Sequence, residues 1–156
     1  MIAFAEDVSG ISVSFEFFPP KGEGDDSFWR TIRKLETVNP SFVSVTYGAG
    51  GTTQARTLNT VRRIAAETSL KPAAHLTCVG ASKMEVNAVV QDFAAAGVRH
   101  IVALRGDPPG GVGTRFVPHP EGYRNAADLV RGIRELGDFE ISVSAYPERH
   151  PESVSI

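Results

Sequence analysis

The chain has 156 residues, 42% of them hydrophobic and 22% charged, with a formal net charge of −2. That length holds one domain with a real core, and a small net charge without any basic block argues against binding nucleic acid or a membrane surface by charge. The single cysteine, Cys78, excludes an internal disulfide and suits a reducing compartment. No apolar run approaches the roughly 20 residues of a membrane span. Acidic residues stand in MIAFAEDVSG where a signal peptide would be basic, so a cytoplasmic protein is expected.

Strand-like and helix-like segments alternate along the chain. SVSFEFF (12–18) reads as the first strand and is followed by Pro19, Pro20 and a polar stretch. SFWRTIRKLETV (27–38) has helical spacing at Phe28, Ile32 and Leu35, with Asp25, Asp26 or Ser27 as N-cap and Asn39-Pro40 as the stop. The second strand, FVSVTYG (42–48), runs into the glycine-rich connector GAGGTTQ and a helix over 57–67 carrying Leu58, Val61 and Ile64. AAHLTCV (73–79) is the third strand. A helix over 82–97 follows, with Ser82 and Glu85 spaced as a capping box and Gly97 as the terminator. The fourth strand, IVALRGD (101–107), opens a connector over 106–122, long for a βα loop and so expected to be functional. A helix over 126–136 and the strand ISVSAYP (141–147) complete the series.

Apolar strands alternating with helices predict a parallel sheet covered by helices. Side chains alternate faces along a strand, which groups Ser14 with Glu16, Ser44 with Thr46, His75 with Thr77, Arg105 with Asp107, and Ser144 with Tyr146. Phe15, Phe17, Val43, Val45, Ala74, Leu76, Val102, Leu104, Ile141 and Val143 are assigned to the other face. Strands that all turn polar at their C-terminal ends describe the mouth of an α/β ligand site. Two architectures satisfy the pattern: a doubly wound sheet of five strands, or part of a (β/α)8 barrel. The shared polar face favours the barrel lumen, giving a single partial barrel domain over 1–156 that ends after its fifth strand.

Glu16, between Phe15 and Phe17, is the sharpest candidate. A carboxyl desolvated there would have a raised pKa and suit a general acid, the alternative being a glutamate paired with an arginine. Arg105-Gly106-Asp107 offers a close backbone approach at Gly106 and a carboxylate at Asp107 that either tunes a ligand or only pairs with Arg105. Thr46 and Tyr146 either donate hydrogen bonds or pack the lumen. The histidines at 75, 100, 119 and 150 lack metal-ligand spacing, so no metal is expected. GAGGTTQ lacks the lysine of a P-loop and the spacing of a dinucleotide fingerprint. Cys78 reads as structural.

FEFFPPK (15–21), VSVTYGAGG (43–51), AHLTCVG (74–80), RHIVALRGDPP (99–109) and SVSAYPERHPE (142–152) together resemble the bacterial type of methylenetetrahydrofolate reductase over almost the whole chain. The resemblance implies an FAD-containing (β/α)8 barrel that uses NADH or NADPH to reduce 5,10-methylenetetrahydrofolate to 5-methyltetrahydrofolate in ping-pong order, a step of one-carbon and methionine metabolism. By position, Glu16 matches the family's general acid and Asp107 the aspartate near flavin and folate. Thr46, His75, Leu104, Arg105, Gly106, Asp107, Tyr123, Tyr146 and His150 match its FAD contacts. The family's catalytic domain continues past HPE through further strands, whereas this chain has only SVSI there. A truncated barrel with an open first strand is therefore expected, weakly active or inactive alone, associating with itself or with a second chain. The alternative is a non-catalytic fragment or assembly partner that binds flavin weakly or not at all.

Overall fold

The computed structural model describes residues 11–22, 25–48, 54–111 and 114–148. They form β1 (Ser14–Phe17), α1 (Asp26–Glu36), β2 (Phe42–Val45), α2 (Gln54–Glu67), β3 (Pro72–Thr77), α3 (Lys83–Ala95), β4 (His100–Leu104), α4 (Ala126–Leu136) and β5 (Glu140–Val143). All neighbouring strands are parallel, in the order β1-β2-β3-β4-β5. A doubly wound sheet reverses its strand order at a switch point. This one never reverses, so right-handed crossovers place every helix on one face. That is the strand arrangement of a barrel, and it rules out the doubly wound alternative. Among the described residues no helix is long and apolar enough to cross a membrane.

Local chemistry sets the helix ends. Of the three candidate caps for α1, Asp25 is the one used: its carboxylate accepts from Phe28 N at 3.1 Å and from Ser27 Oγ at 2.6 Å. Beyond the helix Asn39 turns left-handed at φ 51° before Pro40. The α3 capping box forms as expected, with Glu85 accepting from Ser82 N at 2.8 Å and Ser82 Oγ accepting from Glu85 N at 3.3 Å. α2 starts at Gln54, earlier than its apolar spacing indicated. Thr57 in its first turns donates to Thr46 O at 2.8 Å, tying the helix to the end of β2.

The core lies between the sheet and the helices. Val43, Val45, Ala74, Leu76 and Ile101 from the strands meet Ile32, Ile64, Val90, Phe93 and Leu129 from the helices, all fully buried. The other face carries Glu16, Ser44, His75 and Ser142, as alternation predicts for β1, β2, β3 and β5.

Strand four departs from the expected phase. Register places His75 beside Val102 and Thr77 beside Leu104, so Val102 and Leu104 belong to the polar, lumen-side face. Ile101 and Ala103 are the residues buried under the helices. The expectation was counted back from Arg105 and Asp107 as strand residues. Pairing ends at Leu104, and Gly106 takes φ +84°, so alternation does not extend through that turn.

Candidate active site

Glu16 and His75 form the central contact of the lumen face. His75 Nε2 lies 3.2 Å from Glu16 Oε2, with the histidine side chain 10% and the glutamate side chain 58% exposed. The desolvation expected from Phe15 and Phe17 is not there, because both rings project to the helix side. The partner is a histidine from β3, where the alternative reading placed an arginine. Burial pushes the His75 imidazole below its usual range, opposed by the Glu16 carboxylate. Near neutral pH the ring is therefore neutral, and since a carboxylate only accepts, Nε2 carries the proton and donates it to Glu16.

Beyond His75 on the same face, Thr77 enters a cavity of about 590 Å³ at the C-terminal ends of β2 to β5. Ala103, Leu104 and Val143 give it apolar walls, and Arg105, Asp107, Ser144 and Tyr146 supply polar groups around it. The start of α4, Asn125 to Ala127, closes one side. Arg105 is stacked over Phe116, its guanidinium 4.5 Å from the ring centre, and donates from Nε to Gly106 O at 3.4 Å. Asp107 is exposed on the loop.

Packing by itself requires a glycine at Gly106. It has φ +84°, and a Cβ there would lie 2.5 Å from Val79 Cγ1 and 3.0 Å from Thr77 Cβ. The close approach is to the end of β3. Gly106→Ala is expected to destabilise the fold by about 1–3 kcal/mol, combining left-handed backbone strain with overpacking. It should also displace Thr77 in the cavity wall. Urea unfolding reads the first effect and a shift of the Thr77 methyl resonance the second.

Thr46 directly follows β2, its N–H donating to Phe17 O at 2.8 Å. Tyr123 is not brought to the lumen. Its ring is buried between α3 and α4, and its hydroxyl donates to Asn87 Oδ1 at 2.6 Å. His150, and residues 49–53 of the glycine-rich connector, lie outside the described residues. Cys78 is buried with its thiol donating to Arg105 O at 3.5 Å, and burial pushes it up to about 11, consistent with a structural role.

Tyr47 is a cavity residue that the sequence reading did not single out. It follows the last paired residue of β2, where alternation no longer sets direction. It lines both the mouth cavity and an adjoining one of about 470 Å³ beside α3. Burial raises its phenol above the usual range.

At the opposite end of the sheet His100 meets Ser142 Oγ at 2.8 Å and Glu140 at 3.8 Å. Burial lowers its pKa as it does that of His75, from an ordinary value of 6.5. The unfolded chain therefore takes up protons first as pH falls. The stability these rings contribute is complete above pH 6.5 and is lost as pH drops through the window down to their folded values. Urea midpoints are expected to fall from pH 7.5 to 5.5, and to fall less in His100→Gln.

A partial (β/α) barrel with a polar lumen and a ligand cavity at its C-terminal mouth is the enzyme-bearing class of α/β fold. The family profile described as methylenetetrahydrofolate reductase matches residues 3–156, and the chain belongs to that family. The 5,10-methylenetetrahydrofolate reductase of Salmonella typhimurium is 47% identical over 154 residues, covering 98% of this chain and 50% of its own length. Its counterpart in Escherichia coli is 46% identical over the same extent, 98% and 50%. Methylenetetrahydrofolate reductase (NADH) 1 of Zea mays is 37% identical over 144 residues, covering 90% of this chain and 24% of itself. The chain spans about half the length of the bacterial relatives it matches.

Proposed function

We propose that this chain carries the acid-bearing part of a flavin-dependent reductase that converts 5,10-methylenetetrahydrofolate to 5-methyltetrahydrofolate with NADH or NADPH. The observation that carries the reading is the Glu16 carboxylate on the lumen face, held at 3.2 Å by His75 beside the mouth cavity. The residues fit FAD. Leu104 and the exposed Val143 offer apolar surface to a planar ring system, and Thr77, Ser144 and Arg105 offer donors to its polar edge and tail. Thr46, His75, Leu104, Arg105, Gly106, Asp107 and Tyr146 would hold it. Bound FAD would supply the two-electron chemistry linking nicotinamide to folate. Glu16 holds a proton for a nitrogen of the folate's five-membered ring, so that the ring opens to an iminium. Asp107 on the mouth loop accepts hydrogen bonds from the folate and places negative charge beside the flavin.

The sheet leaves β1 and β5 paired on one side only among the described residues, and a closed barrel needs about eight strands. We therefore propose that full turnover needs further strands that close the barrel. The same open edges favour the second reading, a non-catalytic assembly partner.

The test is the visible spectrum after adding FAD and removing the excess, repeated after anaerobic NADH. A retained band that bleaches supports the reductase. A retained band that does not bleach leaves flavin binding without the nicotinamide step. No retained band supports the assembly partner. A monomer turning over as fast as its full-length relatives would refute the need for closure.

A further inference from the structure

Glu16 and His75 are not neighbours in the sheet. Glu16 is in register with Ser44 on β2, Ser44 is in register with Ala73 on β3, and His75 stands two residues further along. The 3.2 Å contact therefore crosses β2 diagonally, above Ser44, which is small and buried. The two partners differ in freedom. The imidazole is fixed in the strand interior at 10% exposure, whereas the carboxylate is 58% exposed on a flexible stem. A half-exposed glutamate samples many rotamers unless something holds it, and delivery of a proton depends on a held geometry.

We propose that His75 is the positioning residue for Glu16: its Nε2, reaching across β2, holds Oε2 of the carboxyl in place and leaves Oε1 to face the substrate. The inference rests on the reading of Glu16 as proton donor. The surroundings support a dedicated pair. β2 contributes Ser44 and Thr46 to this face and β4 contributes Val102 and Leu104, all uncharged. Arg105 and Asp107 follow only after β4 ends, and His100 and Glu140 lie at the far ends of β4 and β5. Ser44 is part of the device, because a large side chain there would stand between the two partners.

The test combines ring NMR of the histidines, without flavin or folate, with single-turnover reduction of the folate at saturating FAD. In Glu16→Gln the His75 ring is expected to titrate about half a pH unit or more lower, since the attraction that opposes burial is gone. At saturating FAD, so that any loss of flavin affinity is made up, His75→Leu is expected to slow folate reduction about 10- to 100-fold, as misplacement of a reacting group does. His75→Gln keeps an N–H donor and should recover most of that loss. An unmoved His75 titration in Glu16→Gln overturns the inference whatever the turnover. So do equal rates in the Leu and Gln variants, which would mean that the donor is immaterial. If the unsubstituted chain reduces no folate, the proposed function fails. The ring titration, read also in Ser44→Leu, then decides the inference alone: a shift in both variants supports the held pair, and no shift overturns it.

Discussion

Glu16→Gln is expected to lower the rate of folate reduction about 10²- to 10⁴-fold, the usual worth of a positioned general acid. Bleaching of bound flavin by NADH should be nearly unchanged. In the proposed reaction the two half-reactions separate, because only one of them needs a proton delivered to the substrate. Glutamine keeps the size and the polar contact to His75 Nε2 through its carbonyl oxygen, so the fold and the lumen wall stay intact. What is removed is the ionisable proton. Single-turnover reoxidation of reduced flavin by the folate reads the loss directly, and it works even where steady-state turnover is weak. Equal losses in both half-reactions would place Glu16 in flavin binding instead, and no loss in either would remove it from the chemistry.

The largest effect on stability is expected at Gly132, in the middle of α4. In most helices Gly→Ala stabilises by about 1 kcal/mol. Here a methyl group would occupy the space of the Tyr123 ring, which lies directly against the Gly132 backbone. The ring cannot retreat, because its hydroxyl is held by Asn87 at 2.6 Å and Lys83 Nζ stands 5.2 Å from its centre on the α3 side. Gly132→Ala should therefore expel a buried aromatic side chain and break its hydrogen bond, for a net loss of about 3 kcal/mol after the gain in helix propensity. That is a large share of the stability of a small domain. The mechanism has a sign test. In a Tyr123→Ala background the same substitution meets no ring and should be neutral or stabilising, so the two changes are strongly non-additive. Additive losses would mean that Gly132 serves α4 for some other reason. The packing also gives Tyr123 a clear structural task, that of joining α3 to α4.

Much of this molecule is legible from local rules. The alternation of strands and helices, the Ser82–Glu85 capping box, the stop at Gly97 and the lumen-facing positions of Glu16, Ser44 and His75 follow from periodicity and caps. Those depend on residues a few positions apart, and the sequence displays such residues side by side. The phase of β4 is not legible in the same way, because alternation stops past Leu104 in a turn where Gly106 leaves the extended region. Tyr47 carries no such signal, because it lies beyond the paired residues of its strand. The monotonic strand order, the Glu16–His75 contact over Ser44 and the fit of Tyr123 onto Gly132 were decided by the tertiary structure alone. Each joins residues from different βα units, and their meeting is set by register between strands and by the angle of helix on helix. Local periodicity sets what each segment is and, except in β4, which of its faces is polar. Only packing the segments together determined which polar groups touch, because the free energy that fixes register comes from the buried face, while the chemistry sits on the other.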